Sequence, residues 1–182
     1  MKKLTLLFAA ISIVSISNAQ ITFEYEYDSI QAPNGVYLTA IGDNYYRYIK
    51  NDYDNYQFML YNLNHSFDKT VTFPTVIGFP NVSVTYITQS LFDIDNLIEF
   101  EVYYYDSGQC KGKIKIFNEI GSILFEVDSA HGISIYSAGN DGYKMYVRRY
   151  QPCPPYRYFD ARIYSLPGTL PVGKTEIIGQ IN

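Results

Sequence analysis

VTYITQSLFDIDNLIEFEVYYYDSGQCKGKIKIFNEIGSILFEVDS, residues 84–129, holds a full four-strand pattern. A short apolar run leads to a polar turn at Asp95-Asn96, and an alternating run follows at Ile98, Phe100 and Val102. After a polar loop come a run ending in Ile116-Phe117-Asn118 and a last run over residues 123–127. Alternation at period two marks a strand with two distinct faces. Asp and Asn mark turns because they bond nearby backbone and tolerate left-handed φ. The same order occurs twice more. Residues 36–74 carry it with Asp43-Asn44, Tyr46, Tyr48 and the ending Leu60-Tyr61-Asn62. Residues 133–170 carry it with Asn140-Asp141, Tyr143, Met145, Val147 and Ile163-Tyr164-Ser165.

These spacings predict an all-β chain of three antiparallel meander repeats, about four strands each, arranged like propeller blades. A β-trefoil or a β-sandwich is the alternative arrangement. Three blades are fewer than the ~4–8 of a closed propeller, so an open array is expected. The third repeat shows no fourth strand, and residues 21–27 are expected to supply it. Twenty tyrosines without a tryptophan fit the same picture, since tyrosine suits a pleated, half-wet surface.

The N-terminus reads as an address. Lys2 and Lys3 precede an apolar run over residues 4–16, and Ser17-Asn18-Ala19 forms a small-residue cleavage site. That run matches the ~7–15 residues of a signal peptide and falls short of the ~18 needed for a membrane span. Residues 1–19 are thus expected to be removed, leaving residues 20–171 as the repeat domain and 172–182 as a tail or linker. Without Lys2 and Lys3 the 14 basic residues become 12, against 18 acidic, a net charge near −6. Such a balance argues against nucleic acid and anionic membranes as partners, because both select clustered Lys and Arg.

The blocks LFDIDNLIEFEV, IKIFNEIGSILF and RIYSLPGTLP, in this order behind a signal peptide, resemble secreted repeat proteins of Bacteroidetes. The resemblance covers roughly residues 36–171. It implies export, a secreted or cell-surface location, and the type IX pathway that reads a C-terminal sorting domain. No such domain is recognised up to Asn182. No catalytic residue is implied.

Asp93 and Asp95 have the alternate spacing that opens a calcium loop, but residue 97 is Leu and no glycine lies between Asp93 and Glu101. Aligned on the turn, Asp95 matches Asp43 and Asn140, so a turn is expected, with a weak metal site at Asp93 and Asp95 as the alternative. Glu99 matches Arg47 and Lys144, and Glu101 matches Ile49 and Tyr146. A position that accepts either charge is expected on a solvated strand face rather than in a catalytic carboxylate pair. His65 and His131 read as lone surface histidines in turns, outside any triad.

Cys110 and Cys153 occupy the same loop of neighbouring repeats, and in an oxidising compartment that favours a structural disulfide. Two aromatic clusters flank these cysteines. Tyr103 and Tyr105 end one strand, and Tyr156 and Tyr158 follow a proline-rich loop. The expected function is an exported, non-enzymatic β-repeat module that binds a glycan or cell-surface protein through these loop aromatics. No cofactor is expected. The alternatives are a secreted hydrolase of unidentified catalytic residues and a structural spacer of a larger surface protein.

Overall fold

A computed structural model describes residues 24–27, 35–151 and 157–171. Three antiparallel meanders follow one another along the chain, and none closes into a barrel. Sheet 1 holds β1 (Val36–Gly42), β2 (Tyr45–Asp52), β3 (Gln57–Tyr61) and β4 (Phe67–Thr72), paired in chain order. Sheet 2 holds β5 (Asn81–Thr88), β6 (Glu99–Asp106), β7 (Lys111–Asn118) and β8 (Ile123–Asp128) in the same way. Sheet 3 holds β9 (Ala130–Ser137), β10 (Tyr143–Gln151) and β11 (Arg157–Leu166). One turn of 3-10 helix, Gly139–Asp141, links β9 to β10. No helix among the described residues is long and apolar enough to cross a membrane.

The three repeats share their strand register, and the first two share the hydrogen bond that closes the last hairpin. Tyr48 faces Tyr61, Phe100 faces Phe117, and Met145 faces Tyr164 across the corresponding strand pairs. The β3–β4 hairpin closes with Asn62 N–H to Ser66 O at 2.9 Å, and β7–β8 with Asn118 N–H to Ser122 O at 3.0 Å. His65 at φ 64° takes the left-handed place that Gly121 takes at φ 86°. Asn44 and Asn96, at φ 58° and 63°, confirm the turn dipeptides.

Each sheet turns the same face toward the sheet before it. Phe100, Val102 and Tyr104 of β6 pack on Ile49, Phe58, Leu60 and Val71 of sheet 1, with Phe58 and Phe100 edge to face at 5.0 Å. Met145 and Val147 of β10 pack likewise on Ile114, Ile116 and Val127 of sheet 2. Sheet 2 is therefore covered on both sides, and the two cores meet only through it. Burial of each large apolar side chain contributes about 1.5–3 kcal/mol.

Among the described residues no sheet precedes sheet 1. Tyr48 and Tyr61 therefore point away from the first core, and the N-terminal residues cover them. Tyr25 stacks on the His65 ring at 4.5 Å, Tyr48 stacks on its other side at 4.7 Å, and Tyr27 lies edge-on to Tyr61 at 5.5 Å. The expectation that residues 21–27 complete the third sheet is thus corrected for the described part. Glu24 to Tyr27 are not a strand, and their rings sit on the aromatic face of sheet 1. Residues 21–23 lie outside the described residues.

Sheets 2 and 3 meet at a corner made by Ser129 alone, which turns the chain at φ 58° between Asp128 and Ala130. There β9 crosses β7 so closely that a Cβ on Gly112 would stand 2.4 Å from Ala130 O and 2.7 Å from the His131 ring. Gly112→Ala is expected to lower unfolding stability by about 1–3 kcal/mol in urea titration, because a backbone carbonyl must move. Gly108→Ala, on the exposed turn nearby, should change it by less than about 0.5 kcal/mol. Equal midpoints for the two variants would show that β7 and β9 are not in contact.

Candidate functional site

The loop between β5 and β6 carries the acidic residues that most resemble chemistry. Asp95 Oδ1 accepts Leu97 N–H at 2.9 Å, and Asp93 Oδ1 accepts Ile94 N–H at 2.6 Å. Both side chains are thus engaged by adjacent backbone, as Asp does in turns. Among the described residues, no group of three or more His, Cys, Asp or Glu side chains is placed to hold a metal ion.

Glu99 and Glu101 correct the expectation of a solvated face. They are 0% and 3% exposed. Their strand belongs to the middle sheet, so the face turned away from sheet 1 is covered by sheet 3. In sheet 1 the same face is covered by sheet 2, and the aligned Ile49 is fully buried there. Arg47 pairs with Asp68 at 3.2 Å and lies over the Tyr45 ring at 3.9 Å, while Lys144 Nζ donates to Ser165 Oγ at 3.0 Å. The charge varies in sign between repeats even though this face is covered in both sheet 1 and sheet 2.

The Glu99 carboxylate holds a loop together. Leu91 N–H and Phe92 N–H each donate to Oε2 at 3.0 Å, and Asp93 N–H donates to Oε1. Burial pushes this carboxyl above its ordinary range, and the three N–H groups pull in the opposite direction. Glu101 receives one hydroxyl, that of Thr85, and burial pushes its carboxyl up to about 7. The neighbouring Tyr86 phenol is itself raised to about 12, first by burial and then by the Glu101 charge.

Tyr103 and Tyr105 project from one face of β6 and stack at 5.2 Å with 15° between their planes. The Tyr103 hydroxyl lies 2.7 Å from His131 Nδ1, and burial lowers the His131 pKa. His131 is therefore no lone turn histidine. It stands on β9 and joins sheet 3 to the end of β6. Cys110 follows in the β6–β7 turn at φ 55°, and no free cysteine is present among the described residues. Cys153 and Tyr156 lie outside the described residues. Tyr158 stands on β11 opposite Tyr150, a placement that concerns its backbone alone. Of the four aromatic candidates, the structure brings together Tyr103 and Tyr105.

Glu101 makes stability depend on pH. The folded carboxyl keeps its proton up to about 7, whereas the unfolded one releases it near 4.5. The stability this confers is full below the unfolded value and lost as pH rises toward 7, roughly 3 kcal/mol in all. Glu101→Gln keeps an acceptor for Thr85 and carries no charge. Urea unfolding at about pH 5 and about pH 8 should show the variant gaining on the wild type by roughly 2–3 kcal/mol at the higher pH. A difference independent of pH would mean that Glu101 does not titrate in this window.

No family model matches this chain, and no curated protein or solved structure matches it either.

Proposed function

We propose that the protein is an exported, non-enzymatic β-repeat module that binds a surface glycan through the aromatic end of β6. The observation that carries this reading is the Tyr103–Tyr105 pair, two parallel rings held on one strand face, with Tyr103 anchored to His131. Parallel, anchored aromatics lose little freedom on binding and offer an apolar plane beside hydroxyl groups, which suits a sugar ring. The net negative charge favours a neutral polymer over an anionic one.

The proposed disulfide between Cys110 and Cys153 belongs to the same reading, since it would fasten the turn that follows Tyr105. Export rests on residues 1–19, which read as a signal peptide. A hydrolase draws no support from the two glutamates. Glu99 already accepts three backbone N–H groups, and Glu101 is closed between sheets 2 and 3.

Tyr105→Ala tests the reading more cleanly than Tyr103→Ala, because Tyr103 also packs against the second core. On an array of neutral glycans the wild type is expected to retain at least one ligand, and Tyr105→Ala to bind it about tenfold more weakly with unchanged unfolding. Equal binding by the two proteins would remove the aromatic end of β6 from the function. Retention of a surface protein in place of any glycan would reassign the partner.

A further inference from the structure

We propose that the recess between sheet 1 and β5 is a binding site for a neutral, hydroxyl-rich ligand of the size of one sugar unit, held by Asn51. This inference does not rest on the aromatic end of β6. In β2 the alternation places Asn51 on the same face as Ile49, and it stands opposite Phe58 of β3, where an apolar residue would be expected. Asn51 is only 5% exposed. Its Nδ2 donates to the Tyr53 hydroxyl at 3.0 Å, and the Tyr37 hydroxyl also bonds its side chain. The Asn51 Oδ1 is buried without a hydrogen-bond partner. Were the amide turned over, an N–H would be left in the same state, so one polar end is unmet either way. A buried amide left so costs stability, and native interiors rarely tolerate it without a use.

The space this amide borders has the size and chemistry of a small-ligand site. This open recess has a volume of about 440 Å³, within the ~300–1,000 Å³ usual for such pockets. Tyr37, Thr39 and Tyr53 line one side, and Val84, Thr85 and Ile87 of β5 the other. No ionised side chain lines it, and the Glu101 carboxyl behind Thr85 is engaged by the Thr85 hydroxyl. An ion would therefore be desolvated there with no opposite charge to meet it. A hydroxyl donates and accepts, so it can satisfy either end of the Asn51 amide once that buried side chain turns toward the recess. The tyrosine rings and the Val84 and Ile87 side chains supply apolar walls for carbon-bound hydrogens. Together these features select a neutral polyhydroxylated molecule.

The test is an NMR titration of the full chain with glucose, galactose, mannose and N-acetylglucosamine, with glucuronate as the charged control. At least one neutral sugar is expected to shift the Asn51 side-chain amide and the Tyr37 and Tyr53 ring signals saturably. Glucuronate should bind at least about tenfold more weakly. Asn51→Ala should weaken the neutral sugar about tenfold or more. Tyr53→Phe keeps the ring and removes the hydroxyl that orients the amide, so it reads the same site if Asn51→Ala fails to fold. The Asn51 amide and Tyr37 ring signals read the recess itself, which separates this binding from the proposed glycan site on β6. The proposal is overturned if no neutral sugar shifts these signals, if glucuronate binds as well, or if Tyr53→Phe binds like the wild type.

Discussion

Three backbone N–H groups converge on one buried carboxylate, and the joining of the three sheets follows from it. Glu99 fastens residues 91–93, which form no regular strand, to the start of β6. The fastened loop then reaches in both directions. Gln89 N–H donates to Ile41 O of sheet 1 at 2.9 Å. On the other side, Thr169 N–H donates to Ser90 O at 2.7 Å, and Gly168 comes so near that a Cβ would stand 1.6 Å from Ser90 O. The segment beyond β11 is thereby fixed to sheet 2, and Leu170 closes the second core. A carboxylate accepting three N–H bonds is strong where water is excluded, because each bond is charge-assisted.

Most of the architecture was legible because the pattern recurs. Three rounds of turn dipeptide, alternating strand and Asn- or Ser-ended strand gave three meanders, and the paired residues Tyr48–Tyr61, Phe100–Phe117 and Met145–Tyr164 bear out that alignment. Comparison between repeats misled at Glu99 and Glu101, where a change of residue type was read as solvent exposure. Arg47 and Glu99 carry opposite charges on faces that are both covered, so variable charge at aligned positions did not report exposure. A shared backbone place does not mean a shared environment: the face of Glu99 is covered by sheet 3, whereas among the described residues no sheet follows sheet 3 to cover Lys144. The same asymmetry explains the N-terminal residues. Tyr48 is the counterpart of Phe100, with no preceding sheet to receive it, and Tyr25 and Tyr27 take that place against His65.

Less of the candidate chemistry was legible. Tyr103 and Tyr105 were marked by alternation, since residues two apart share a face. His131 was missed because its partner lies 28 residues away and is reached only through the corner at Ser129. Asn51 left a usable trace, a polar residue two places after Ile49 on a core-facing position. The recess around it depends on how β5 lies beside β1, and one strand pattern cannot report that. Glu101 is similar: its burial follows from the packing of sheet 3, and its proton follows from the burial.

Amide hydrogen exchange reads the Glu99 clamp itself, because the clamp makes a distinctive demand on an irregular segment. The amides of Leu91, Phe92 and Asp93 are predicted to exchange as slowly as those of Val102 and Ile116, through global unfolding. Exchange of these three amides at the rate of the exposed turn at Gly108 would show that Glu99 does not hold the loop, and would contradict this account of how the three sheets are joined.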